Sequence, residues 1–173
     1  TDATGKALWT VYSNSGDFAS NQGGIAVDTD GSVFFTAKVR HTDGLLDSKI
    51  KVVDALGNTT EVAFPVPERY YFLLIGHISA EGAVKWIHIV DVAHGAFGTK
   101  TFVSDAIYVN AITLQGDNVF IGGRFAMTMN IGGIEYTPRN TAHWDGDSQK
   151  AAGDLFIASF SKEYGAAQTV LTA

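Results

Sequence analysis

Apolar and polar residues alternate over short stretches of this chain, and each stretch ends in a cluster of Gly, Asp or Asn. A period of two puts successive side chains on opposite faces of an extended strand, so the pattern predicts β-structure. Residues 24–28 and 32–39 predict a hairpin turned by Thr29-Asp30-Gly31, where Asp and Gly both tolerate positive φ. Residues 49–53 and 59–64 predict a second hairpin across Ala55-Leu56-Gly57-Asn58. Pro65-Val66-Pro67 then stops the ladder, because each proline lacks an amide donor. Residues 70–79 are almost continuously apolar, which predicts a strand buried on both faces at the centre of a sheet. Residues 7–12 and 83–90 read as strands, 13–23 as a loop, and 102–109 as either a short strand or a connection. Beyond them, strands are expected at 111–114, 118–125, 154–161 and 167–171, with a hairpin from Met127 to Tyr136 and a polar loop over 138–153. Helical periodicity is absent, apart from at most one turn over 145–152.

The pattern comes round twice. Val33, Phe34 and Phe35 align with Val119, Phe120 and Ile121, which sets Asp30-Gly31 against Gly116-Asp117. Each copy then meets a long apolar strand, a glycine turn and a final strand. The closing turn recurs at Gly5, Gly82 and Gly165, spaced by 77 and 83 residues, with Trp9 and Trp86 four residues after the first two glycines. Repetition of this kind predicts a single all-β repeat domain or fragment over 1–173, with internal copies at approximately 6–86 and 87–173. Ends in matching phase suggest a piece of a longer array. Such a piece is expected to pack on the rest of a longer polypeptide, to self-associate, or to close by setting residues 7–12 beside residues 154–171.

Several of these segments resemble the bacterial β-propeller repeats of the SBBP type. The likeness is carried by residues 34–37, 121–125 and 129–137, by Asp154-Leu155-Phe156-Ile157-Ala158, and by the spacings Gly82 to Trp86 and Gly5 to Trp9. The resemblance implies about two propeller-like antiparallel blades with hairpin insertions, in an exported or surface-associated bacterial protein, periplasmic or at the cell surface. It implies no catalytic residues. A two-sheet β-sandwich is the alternative architecture.

Composition narrows the function. A chain of 173 residues can build one ordinary core. A net charge of −6 with four scattered arginines, Arg40, Arg69, Arg124 and Arg139, argues against a nucleic-acid partner, whose phosphates demand clustered cations. The absence of cysteine removes disulfide and thiolate chemistry. No apolar run has the roughly 18 residues of a membrane-spanning helix.

Candidate chemistry is sparse. His143-Trp144-Asp145-Gly146-Asp147 joins an aromatic ring to carboxylates in a polar loop, a mixture suited to gripping the apolar face and hydroxyls of a sugar; Trp144 could instead cover the end of a sheet. His77 and His88 stand on neighbouring strands and could approach each other, with Asp91 near, yet no metal-ligand spacing is present. Asp28 and Asp30 before Gly31 weakly suggest calcium, but Val39 occupies the twelfth loop position, where a calcium loop needs Glu. A hairpin turn explains them better. No other cofactor is expected. The reading from sequence is therefore a non-catalytic, extracytoplasmic module for protein association or display. Its alternatives are a carbohydrate-binding module or a glycan-active hydrolase or lyase, with a glycan or a surface protein as partner.

Overall fold

The computed structural model describes residues 7–13, 17–40, 49–64, 71–92, 107–126, 128–139 and 153–173. Among them are thirteen strands and no helix. In chain order the strands are β1 (Tyr12–Ser13), β2 (Asp17–Val27), β3 (Val33–Arg40), β4 (Lys49–Val53), β5 (Thr59–Ala63), β6 (Tyr71–Ile78) and β7 (Val84–Val92). There follow β8 (Ile107–Gln115), β9 (Asn118–Phe125), β10 (Met129–Ile131), β11 (Ile134–Tyr136), β12 (Asp154–Ser161) and β13 (Ala167–Thr172). They form three antiparallel sheets, ordered β1-β4-β5, β11-β10-β7-β6-β3-β2 and β13-β12-β9-β8.

β6 lies between β3 and β7, as its unbroken apolar run predicts. Phe72 and Leu74 point to one side, where they join Val39 and Ile87 beneath Ile50, Val52 and Phe64 of the small sheet and its flank. Leu73 and Ile75 point to the other, where Phe34, Trp86 and Val90 meet Ile107, Val109, Val119, Ile121, Phe125, Phe156, Ala158 and Phe160 of the third sheet. The period of two thus becomes two cores on opposite faces of one central sheet. Both hairpins across Gly57 and across Gly132-Gly133 form as expected.

The propeller expectation is corrected by this layering. Propeller blades fan around an axis. Here two similar four-stranded units, β2-β3-β6-β7 and β8-β9-β12-β13, form a repeated sandwich-like arrangement around one shared core. The β10–β11 hairpin, which belongs to the second copy by sequence, extends the sheet of the first: Met129 pairs with Val92 and Asn130 with Asp91. Ring closure within the chain by residues 7–12 is not formed either. Tyr12 and Ser13 pair with β4, and Trp9 donates its indole N–H to the Ala80 carbonyl at 2.8 Å. The loop expected over 13–23 becomes strand from Asp17, with a bulge between Ala19 and Gly23. Its Asn, Gln and Gly residues imitate a loop in composition, but β3 supplies ladder partners for Asp17, Phe18 and Ala19 and again from Gly23 onward, with residues 20–22 in the bulge between.

Candidate functional site

At the end of the molecule away from the tight turns, three side chains from three strands converge. Tyr108 of β8 lies directly opposite Arg124 of β9, and the guanidinium sits 4.9 Å from the ring centroid. Lys38 reaches from β3 and places its ammonium 4.9 Å from the same centroid. Lys38 is 5% exposed; its aliphatic stem fills the gap between sheets while its head stays with the aromatic ring. Each such cation–ring contact is worth about 0.5–2 kcal/mol, more as water is excluded.

Arg124 also marks where the polar loop rejoins the sheet. Gly153 lies so close that a Cβ there would approach Arg124 Cγ at 3.0 Å. The Arg139 backbone N–H donates to Asp154 Oδ2 at 2.5 Å, holding the two flanks of segment 140–152 together. His143, Trp144, Asp145 and Asp147 all belong to that segment and lie outside the described residues. The cluster therefore adds an aromatic ring, a planar guanidinium and an ammonium to the place from which the sequence-proposed residues depart.

The other sequence candidates have structural roles. Asp28 accepts from Lys162 Nζ at 2.6 Å, which with the Thr29 N–H holds its carboxyl below the usual carboxylate range. Asp30 accepts the Ser32 amide at 2.8 Å, and Gly31 N–H donates to the Asp28 carbonyl at 3.0 Å. These two carboxylates build a hairpin turn. His77 and His88 share a face but do not meet, because Trp86 stands between them with ring centroids 5.9 and 5.4 Å away. His77 stacks on Phe34 at 4.1 Å, and both its ring nitrogens are buried without a hydrogen-bond partner. Burial pushes its pKa below the ordinary histidine value, opposed by the Lys162 backbone and Asp30. His41 and His94 lie outside the described residues, as does the side chain of Asp91. Among the described residues no group of three or more His, Asp or Glu could hold a metal ion.

Lys38 and Tyr108 escaped the sequence reading. One signal was available: in Phe34–Lys38 the lysine falls in phase with Phe34 and Thr36, on the face that becomes core. A cation at a core phase calls for a partner.

The chain matches no protein-family model, no curated protein and no solved structure. The likeness to propeller repeats thus has neither a family match nor the architecture behind it. The expected propeller-like module for association or display is corrected with the architecture.

Proposed function

We propose that the chain is a non-catalytic carbohydrate-binding module, acting in an extracytoplasmic setting where polysaccharides are found. The observation that supports this most is the meeting of Lys38 and Arg124 on the Tyr108 ring, with Arg124 beside Gly153, the residue that follows the segment carrying Trp144. An aromatic ring with hydrogen-bond donors beside it suits both surfaces of a sugar ring, its apolar C–H face and its hydroxyl edge. A sheet scaffold holds the donors in fixed positions, which limits the entropy lost on binding. No helix among the described residues is long and apolar enough to cross a membrane.

The test is a polysaccharide retention screen with the intact chain. Retention of at least one polysaccharide is expected, reduced at least tenfold by Trp144→Ala and by Arg124→Gln with the melting temperature nearly unchanged. Failure to retain any glycan overturns the reading, and hydrolysis of a retained glycan overturns its non-catalytic part.

A further inference from the structure

The third sheet covers the central sheet with one face, and its other face carries exposed apolar side chains around a buried Ser159. On that outer face Leu155, Ile157 and Leu171 are 61%, 52% and 62% exposed. Register sets them together. Ile157 lies opposite Leu171 on one side and opposite Gly122, which has no side chain, on the other. Leu155 is the next outward residue along β12, and the following row is Phe120, Ser159 and Thr169. Neither the Ile157 row nor the Phe120 row carries a charge. Contiguous apolar surface of this kind marks an interaction site.

The first copy shows what such a face does in this chain. Aligning Ser79 with Ser161 brings Leu73 and Ile75 onto Leu155 and Ile157. Leu73 and Ile75 are 3% and 0% exposed, because the third sheet lies over them. The same positions are therefore core in one copy and bare in the other.

Two occupants compete for the bare face, a further repeat unit or a second copy of the chain. A further unit would dock as the existing ones do. Trp9 donates its indole N–H to the Ala80 carbonyl, and Trp86 donates to the Lys162 carbonyl, each at 2.8 Å. Each indole thus docks on the closing turn one repeat length further along the chain, Trp9 on the turn at Gly82 and Trp86 on the turn at Gly165. Four residues after Gly165 stands Thr169, so this link is absent where a third unit would attach. Charge favours a two-fold contact instead. Arg124 lies at one end of the face, while Asp117 and the exposed Glu163 lie beyond the other, in the turns that follow β8 and β12.

We propose that Phe120, Leu155, Ile157 and Leu171 form the contact face of a two-fold homodimer in which the facing β12 strands run antiparallel. An axis near Ile157 buries the aliphatic patch of each copy on the other. It carries Arg124 of each copy toward the Asp117 and Glu163 turns of its mate and keeps the two Arg124 side chains apart. Closed two-fold symmetry is the commonest solution for a self-complementary patch. This contact stands independently of glycan binding, since its central residues are not those of the proposed sugar site.

Sedimentation velocity over a hundredfold concentration range tests it on the intact chain. A reversible monomer–dimer equilibrium is expected, shifted at least tenfold toward monomer by Ile157→Asp and by Leu171→Glu, with melting temperatures close to wild type. Ile157→Cys, the sole thiol in its chain, is expected to give a disulfide-linked dimer on mild oxidation. A wild-type chain that stays monomeric throughout overturns the proposal. So does a dimer that survives both charged substitutions, which points to pairing along a free strand edge.

Discussion

Gly57 and Gly165 both hold positive φ, 83° and 67°, in turns between paired strands. Their surroundings differ. A Cβ on Gly57 meets nothing within 4 Å, whereas one on Gly165 would stand 2.6 Å from the His88 ring and 2.7 Å from Trp86. Gly57→Ala is therefore expected to cost about 1 kcal/mol, the backbone term alone. Gly165→Ala adds displacement of packed rings and is expected to cost about 2–3 kcal/mol. Urea denaturation of the two variants separates backbone strain from packing. His77 poses a different problem, with two buried nitrogens that have no partner and a pKa lowered first by burial. A histidine whose folded pKa lies below its unfolded value binds fewer protons folded than unfolded. Its share of stability is present above the unfolded value of about 6.5 and is lost as pH falls from there through the lowered folded pKa. His77→Phe, which keeps a ring against Phe34, is expected to lose less stability between pH 7.5 and pH 5 than wild type. Melting curves at both values check this, and equal losses would refute it. The facing charges that modulate the effect are Asp28, Asp30 and Lys85.

The closing turn was legible in the sequence as a motif but not as a mechanism. Spacing from Gly82 to Trp86 repeats that from Gly5 to Trp9, and this much can be read along the chain. The partner of each indole cannot, because it lies 71 or 76 residues away. The geometry makes each of these glycines a floor for the tryptophan that stands roughly one repeat length earlier in the chain. Gly82 lies under Trp9 and Gly165 under Trp86. Trp86→Phe removes the donor to the Lys162 carbonyl from a buried side chain and is expected to cost about 2 kcal/mol. Trp9→Phe acts at a less buried position and is expected to cost about 1 kcal/mol. Equilibrium unfolding by tryptophan fluorescence and by dichroism checks the order, and equal costs would mean that burial does not set the difference. Strand existence was equally plain for β6, β9 and β12, where apolar content and turn chemistry agree. β2 was missed over 17–23 because Asn, Gln and Gly carry no strand signal; pairing with β3 on both sides of the bulge decides it. The sugar-site candidates remain as the sequence proposed them, since 140–152 lies outside the described residues. Lys38 joined the cluster only through the contact between sheets.

At the scale of the whole molecule, repetition was visible and its geometry was not. Two copies of one pattern fit blades around an axis or layers in a stack equally well, because both bury alternate residues on both faces. What separates them is which sheet receives each inserted hairpin. The Lys49–Val53 and Thr59–Ala63 hairpin leaves its own copy's sheet to become a cover, and the Met129–Tyr136 hairpin crosses to its neighbour. Neither decision leaves a mark in local sequence. The second crossing has a consequence for the order of events during synthesis. The edge of β7 at Asp91 and Val92 waits for Asn130 and Met129, which leave the ribosome some forty residues later. At an elongation rate of roughly 5–20 residues per second, that edge is bare for about 2–8 seconds. A nascent chain in that interval presents open backbone donors and acceptors to any other strand, so crowding on one messenger sets a hazard that the finished protein no longer has.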